Sequence, residues 1–248
     1  MSKIGLQLYS IKELAQKDFL GTIEEVAKIG YDGIEYAGFF NTPAKELKKV
    51  MDRNGIAACG SHTDIDLLTN DLDNVIQYNL DIGNGYIICP GLPQEMTCSA
   101  EAWKKTAELF NKIGTKCKEN NIQFGYHNHA REFTKYEGQY AYDILAKNTV
   151  PELVCLEIDT FWVEYAGLKS IDFMNKYSNR LPLIHIKEMK SLEEKKNTEI
   201  GKGIMNFKDI VDLGKKYGTK WFIVEQEYFE IPQLQSIKES LAYLKTLI

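Results

Sequence analysis

The sequence predicts a single (β/α)8 barrel, an α/β fold of the TIM type, over residues 1–248. Three observations predict it. Short apolar, β-branched runs recur along the chain, each followed by a polar stretch with helical periodicity. Eight such pairs occur, about 30 residues apart, and near-continuous apolar strands alternating with helices mean a parallel sheet covered by helices. Eight pairs in 248 residues is the size of a closed barrel. The rival is an open doubly wound sheet, which carries a glycine fingerprint in its first strand–helix turn. Here that turn is Tyr9-Ser10-Ile11-Lys12, without one.

Taken in order, the first strand is Ile4 to Tyr9 and its helix Phe19 to Ile29. Gly30 stops that helix and the second strand runs to Tyr36. Pro43 suits the first position of the next helix, and Gly55 closes it. Ile56 to His62 is the third strand, Leu72 to Ile82 a helix, and Gly85 to Pro90 the fourth strand. From Ser99 a long amphipathic helix carries Ala102, Ala107, Phe110, Ile113 and Cys117 on one stripe. The fifth strand begins at Ile122 and ends on Tyr126-His127-Asn128-His129, with a helix near Tyr140 to Ala146 behind it. Leu153 to Asp159 is the sixth strand, Ile171 to Tyr177 a helix, and Leu183 to Lys187 the seventh strand. A long charged connection, Glu188 to Ile204, leads to a helix capped by Asn206. Trp221 to Glu225 is the eighth strand, and Pro232 to Ile248 the last helix.

Composition narrows the function classes. With 44% hydrophobic and 26% charged residues the chain is ordinary for a globular domain that can bury a large core. A net charge of −5 argues against nucleic acid as a partner. No apolar run approaches the ~20 residues of a membrane span. Met1-Ser-Lys-Ile lacks the pattern of a secretory leader, so a cytoplasmic location is expected. Five cysteines without CxxC or zinc-ribbon spacing read as small core residues in a reducing compartment.

A barrel of this kind works at the C-terminal ends of its strands. All four histidines fall there: His62, His127, His129 and His185. Gln7, Tyr9, Glu35, Glu157, Asp159, Lys187, Glu225 and Glu227 share those positions. In a strand, residues two apart share a face, so His127 and His129 should point the same way. Imidazoles and carboxylates above an apolar floor suit one divalent ion such as Mn²⁺, Mg²⁺, Co²⁺ or Zn²⁺. So many acceptors gathered without a cation would repel one another. Lys187 should share the face of His185, where it could steady an oxyanion or donate a proton; the plainer alternative is a lysine snorkelling to the surface. Tyr9, Phe161 and Trp162 could wall a sugar ring, and Glu35, His62 and Glu157 could meet its hydroxyls. Gly201-Lys202-Gly203 reads as a helix-entry turn rather than a phosphate loop.

The segments Gly33-Ile-Glu35, Tyr126-His-Asn-His129, Leu156-Glu-Ile-Asp159-Thr160, His185-Ile-Lys187-Glu188 and Val224-Glu225 resemble the sugar phosphate isomerase/epimerase family. These are xylose isomerase-like barrels that also include apurinic endonucleases and ketohexose 3-epimerases. The resemblance implies one divalent metal, held by Asp159, His185 and Glu225 from the sixth, seventh and eighth strands. The fifth-strand ligand of the epimerases is a glutamate; His127 stands at the matching position here, and His129 competes for the role. The endonucleases carry a histidine three residues after the sixth-strand aspartate, where this chain has Trp162, which argues against a multi-zinc site.

By the same resemblance the chemistry is proton abstraction beside a carbonyl, with Glu225 as ligand and base and Lys187 and His129 as further catalytic groups. The leading expectation is an isomerase or epimerase of a sugar, keto sugar or polyol derivative. Without the fifth-strand glutamate, Glu132, Lys187 or a histidine must replace the second base. Otherwise the enzyme abstracts one proton and eliminates a neighbouring group, as a carbon–oxygen lyase or dehydratase of a keto sugar or glycoside. A third alternative is a catalytically silent sugar-binding barrel. Family members pair through helices and loops near the mouth, so a homo-oligomer is a further expectation.

Overall fold

Eight parallel strands close on themselves in the computed structural model, which describes residues 2–248. They are β1 (Lys3–Gln7), β2 (Gly33–Ala37), β3 (Ala57–His62) and β4 (Tyr86–Cys89). The other four are β5 (Gln123–His127), β6 (Val154–Asp159), β7 (Leu183–Ile186) and β8 (Trp221–Val224). Neighbours in sequence are neighbours in the sheet, and β1 pairs with β8 from Lys3 opposite Trp221 to Leu6 opposite Val224. That closure leaves no exposed edge. No helix among the described residues is long and apolar enough to cross a membrane.

Side chains alternate along each strand, and the inward set explains the barrel. Its floor is Cys59, Ile88, Cys155, Leu183, Trp221 and Ile223, all buried. Glycines make the room: a Cβ on Gly33 would lie 2.7 Å from the Trp221 ring, and one on Gly125 2.5 Å from Cys155 Sγ. Two residues beyond the floor, the inward positions turn polar on most of the strands. Gly33 is followed by Glu35, Gly125 by His127, Cys155 by Glu157, Leu183 by His185 and Ile223 by Glu225. Between β2 and β3 the register shifts, Ile34 pairing with Ala58 and Glu35 with Gly60, so β3 carries an extra residue and Cys59 and His62, three apart, both reach the interior.

The surrounding helices follow their end signals. Helix α1 is Lys12–Lys17; α2 (Phe19–Ile29) is stopped by Gly30 at φ 103°, and α3 (Ala44–Asn54) by Gly55 at φ 63°. Pro43 is the N-cap of α3 rather than its first residue. Helices α4 (Ile65–Asn70) and α5 (Leu72–Ile82) divide a connection in which only the second was expected. In α6 (Ala100–Glu119), capped by the Ser99 hydroxyl, Trp103 is buried and Ala102 is not, because the stripe sits one residue later than the apolar pattern suggested. Helix α7 is Ala141–Asn148; α8 (Thr160–Tyr165), a short unforeseen turn, follows β6 directly, and α9 (Ser170–Lys176) completes that connection. Helices α10 (Phe207–Lys216) and α11 (Gln233–Leu244) end the chain, with Asn206 capping α10 as expected.

The long connection after β7 is held by one carboxylate. Glu188 accepts hydrogen bonds from the main-chain N–H groups of Met189, Gly201 and Met205, each at 3.0 Å. Gly201-Lys202-Gly203 therefore wraps a buried glutamate and is not a helix entry. All five cysteines are free thiols, and four are buried.

Candidate active site

Four strand ends converge on a nest of imidazoles and carboxylates. His127, Asp159, His185 and Glu225 each offer one donor atom, and those atoms lie within 4.8 Å of one another. A second group, His62, His127, Glu157 and His185, meets the same limit and shares two members. The rings pack together, with centroids 4.5 Å apart for His127 and His185 and 5.0 Å for His62 and His127.

Each ring is aimed by a neighbour. His185 has Nδ1 3.0 Å from Glu225 Oε2 and Nε2 2.6 Å from Glu35 Oε2. Gln7 Nε2 donates to the same Glu35 oxygen at 2.8 Å. Glu157 Oε2 lies 2.9 Å from His62 Nε2 and 3.1 Å from His127 Nδ1. Asp159 uses Oδ1 to accept the Phe161 and Trp162 N–H groups at 2.9 and 3.2 Å, capping α8. Its own N–H is tied to Asn128 Oδ1 at 3.0 Å, which fixes β6 to the turn after β5. Nothing in the sequence pattern singled out Asn128, since the bond crosses strands.

The electrostatics show a cluster short of positive charge. Burial pushes the Glu157 carboxyl up to about 7, with Glu35 adding to it. Burial also raises Asp159 to about 7, Glu225 reinforcing it and Lys187 opposing. Against the burial penalty, Glu35 and Glu157 lift His62 to about 10 and His185 well above its ordinary value. Lys187 and His185 overcome burial at Glu225 and hold it below the usual carboxylate range. His127, buried beside His185, is depressed and neutral. Asp159 Oδ2, Glu157 Oε1 and Glu35 Oε1 are buried without a hydrogen-bond partner. Unpaired buried carboxylate oxygens are costly; a divalent cation held by the first group would satisfy that of Asp159, and one held by the second that of Glu157. The residues fit such an ion.

Lys187 does not snorkel. It is 1% exposed, with Nζ 3.6 Å from Glu225 Oε2, hydrogen-bonded to Glu227, and 4.9 Å from the centroid of the Trp162 ring. His129 lies two residues past the end of β5, yet its ring still faces the mouth, 5.0 Å from His127 and 5.5 Å from Trp162. Its main-chain N–H donates to Glu132 Oε2 at 2.8 Å, and Tyr126 donates to the other Glu132 oxygen at 2.6 Å. Glu132 is thus a buried brace for the turn. Burial depresses the His129 pKa, and its Nδ1 has no partner.

A cavity of about 880 Å³ opens above this cluster. His62, His127, His129, Glu225, Tyr9 and Trp162 line it, as does Glu227. Glu35 and Glu157, expected at substrate hydroxyls, are fully buried beneath it and engaged with imidazoles. Tyr9 belongs to a 3-10 turn, Leu8–Ile11, rather than to β1, and stands half-exposed at the rim.

Relatives agree with this architecture. Residues 23–247 match the family described as xylose isomerase-like TIM barrel. Inosose dehydratase of Clostridium tetani is 24% identical over 250 residues, spanning 86% of this chain and 83% of that protein. Inosose dehydratase 2 of Bacillus cereus is 23% identical with the same coverage. The crystal structure of a sugar phosphate isomerase/epimerase from Parabacteroides distasonis superposes with a TM-score of 0.85 at 27% identity, over 98% of this chain and 93% of that one. The closed eight-stranded barrel and the match over nearly its whole length lead to one conclusion: the chain belongs to the xylose isomerase-like TIM barrel family.

Proposed function

We propose that this protein is a metal-dependent carbon–oxygen lyase acting on a keto sugar or keto polyol. It removes a proton from the carbon beside the carbonyl and expels an oxygen substituent from the next carbon. One observation carries this reading over epimerisation. At the β5 end, where a second carboxylate base would have to stand, the groups facing the cavity are imidazoles, and Glu132 is turned away onto Tyr126 and the His129 main chain. Inverting a stereocentre takes a base on each face of the carbon, whereas here Glu157 engages His62 and His127, His185 and Lys187 engage Glu225, and His129, whose Nδ1 has no partner, is the one base left uncommitted; elimination takes one. Relatives named for dehydration of an inosose support the same choice.

His127, Asp159, His185 and Glu225 would hold the divalent ion, which when bound polarises the substrate carbonyl. Glu35 and Glu157 orient the imidazoles from below, as second partners of His185, His62 and His127. Lys187 fixes the Glu225 and Glu227 carboxylates in place. His129, braced through its main chain and lining the cavity, is the base. Its imidazole takes the proton from carbon and returns it to the departing oxygen. A C–H and a C–O bond break, a C=C bond conjugated with the carbonyl forms, and water or an alcohol leaves. Trp162 shields this face from solvent.

NMR in D₂O on Mn²⁺- or Co²⁺-loaded protein, over keto inositols and keto sugars, tests the proposal. Enone signals with release of water or alcohol are expected. Deuterium at an inverted carbon with no loss of a substituent refutes it in favour of an epimerase. His129→Gln should lower turnover by about 10²–10⁴-fold while the metal stays bound. Loss of the metal in that variant would transfer the fifth-strand ligand role from His127 to His129.

A further inference from the structure

The cavity is too large for one sugar ring, and its far end is not built for sugar. At about 30 Å³ per water in the liquid, 880 Å³ is room for roughly thirty waters. A six-carbon ring with its hydroxyls has about a dozen non-hydrogen atoms. Clefts of roughly 300–1,000 Å³ hold ligands of several rings. The surplus lies in a lobe formed by the loop after β2 and by α4 and α5. In the barrel order β2 stands four strands from β6, so this lobe faces Asp159 across the mouth.

Phe39, Phe40, Leu67, Val75 and Tyr78 line the lobe. The Phe39 and Tyr78 rings pack at a 34° tilt with centroids 4.2 Å apart, and Tyr78 donates its hydroxyl to the Thr42 carbonyl at 2.7 Å. That bond pins a loop in which Phe40 and Asn41 both take left-handed backbone angles, at φ 50° and 55°. Strained non-glycine residues side by side persist only where surrounding contacts hold them. Here they set Phe40 at the rim, 38% exposed, facing a cavity that also holds Leu67, 47% exposed. The charge is equally one-sided. Among the described residues no lysine or arginine lines the cavity, and the charged groups of the lobe itself are Asp64 and Asp71. A phosphate or carboxylate held in the lobe would meet acids and no cation.

We infer that the site takes a neutral keto glycoside whose aglycone is aromatic or similarly broad and apolar, bound in the lobe between Phe39, Phe40, Leu67 and Tyr78. The inference rests on the lyase reading only in making that aglycone the leaving group. In that case the broken C–O bond is the one to the aglycone, which departs as an alcohol carrying the proton from carbon, and the ring keeps the conjugated C=C. The ketone must already be present, so an oxidation of the glycoside precedes this step.

Binding by inert probes tests the lobe. Mn²⁺-loaded protein is titrated calorimetrically with the phenyl and methyl β-glycosides of glucose and galactose, which lack the ketone and cannot react, and with glucose 6-phosphate. Phenyl glycosides should bind at least about tenfold more tightly than the methyl ones, the gain from burying an aromatic ring, and glucose 6-phosphate more weakly than either. Leu67→Glu, a substitution at a half-exposed position, should bring the phenyl-to-methyl ratio close to one. Equal affinity for phenyl and methyl glycosides, no binding of phenyl glycosides up to their solubility, preference for the phosphate, or an unchanged ratio in Leu67→Glu each overturns the inference. A preserved phenyl preference without elimination from any keto sugar would refute the lyase reading alone.

Discussion

Asp159→Asn separates the capping of a helix from the holding of a cation. The Oδ1 atom accepts two N–H groups at the start of α8, and an asparagine oxygen can keep both. The Oδ2 atom is buried and unpartnered. Burial, with Glu225 adding and Lys187 opposing, raises the carboxyl from 3.8 to about 7. Three units at 1.36 kcal/mol each make the ionised group cost the metal-free fold about 4 kcal/mol. The sign follows from the direction. A folded carboxyl with a raised pKa binds its proton more tightly than the unfolded chain does. The penalty is therefore absent below the unfolded value near 3.8, grows as pH rises, and is complete above about 7. Asparagine carries no charge, so the metal-free variant should be more stable than the parent at about pH 8, by up to about 4 kcal/mol. At roughly 2–4 °C per kcal/mol for a chain of this size, the Tm gain reaches about 8–16 °C and fades toward pH 4. Mn²⁺ at about 1,000 Kd should close that gap, since it adds about 4.1 kcal/mol to the parent alone, and higher concentrations should reverse the order. Thermal unfolding in chelator and in Mn²⁺ at the two pH values reads all four states. A variant less stable than the parent in chelator at alkaline pH, or one that gains as much from Mn²⁺, would refute the reasoning.

Two other outcomes follow from the geometry. Protons compete with the metal, because His185 is protonated at neutral pH without it and Asp159 and Glu157 titrate near 7. Mn²⁺ affinity should fall by about tenfold per pH unit or more for each proton displaced as pH drops through 7; a flat titration series between about pH 6 and 8 would contradict the ligand set. At the opposite end of the barrel, buried Arg180 donates to the carbonyls of Ala146 and Val154 and to Thr149 Oγ1 at 2.6–2.8 Å. Arg180→Met removes the side-chain donors of the Val154 carbonyl and leaves the Ala146 carbonyl only the Thr149 hydroxyl at 3.3 Å, and it should cost about 3 kcal/mol in urea unfolding while Mn²⁺ affinity holds, since the N-terminal face of such a barrel serves stability.

Legibility in the sequence followed the range of the interaction. Strand cores and the helix stops at Gly30 and Gly55 were readable because period and glycine chemistry act within a few residues. The gathering of His62, His127, His129 and His185 was readable because alternation places inward groups two apart and the closed barrel brings their strand ends together. The short α4 and α8 were not, since six residues carry no full amphipathic repeat. The buried state of Lys187 was equally hidden. It depends on Glu225 and Glu227 arriving from the next strand and on Trp162 covering it. Glu188 holds a loop through residues 13 and 17 positions away, and no local pattern announces that.

By itself the sequence determined the barrel and the chemical identity of its mouth. Hydrophobic alternation is a property of the chain, and any fold that buries it must bring those strand ends to one side. Which groups meet was decided by the tertiary structure. The register shift on β3 aims His62 inward, the turn after β5 carries His129 to the cavity while Glu132 turns away, and the loop after β2 opens the apolar lobe. These are contacts between elements distant in sequence, whose energies depend on separation and burial, and neither quantity exists until the barrel has closed.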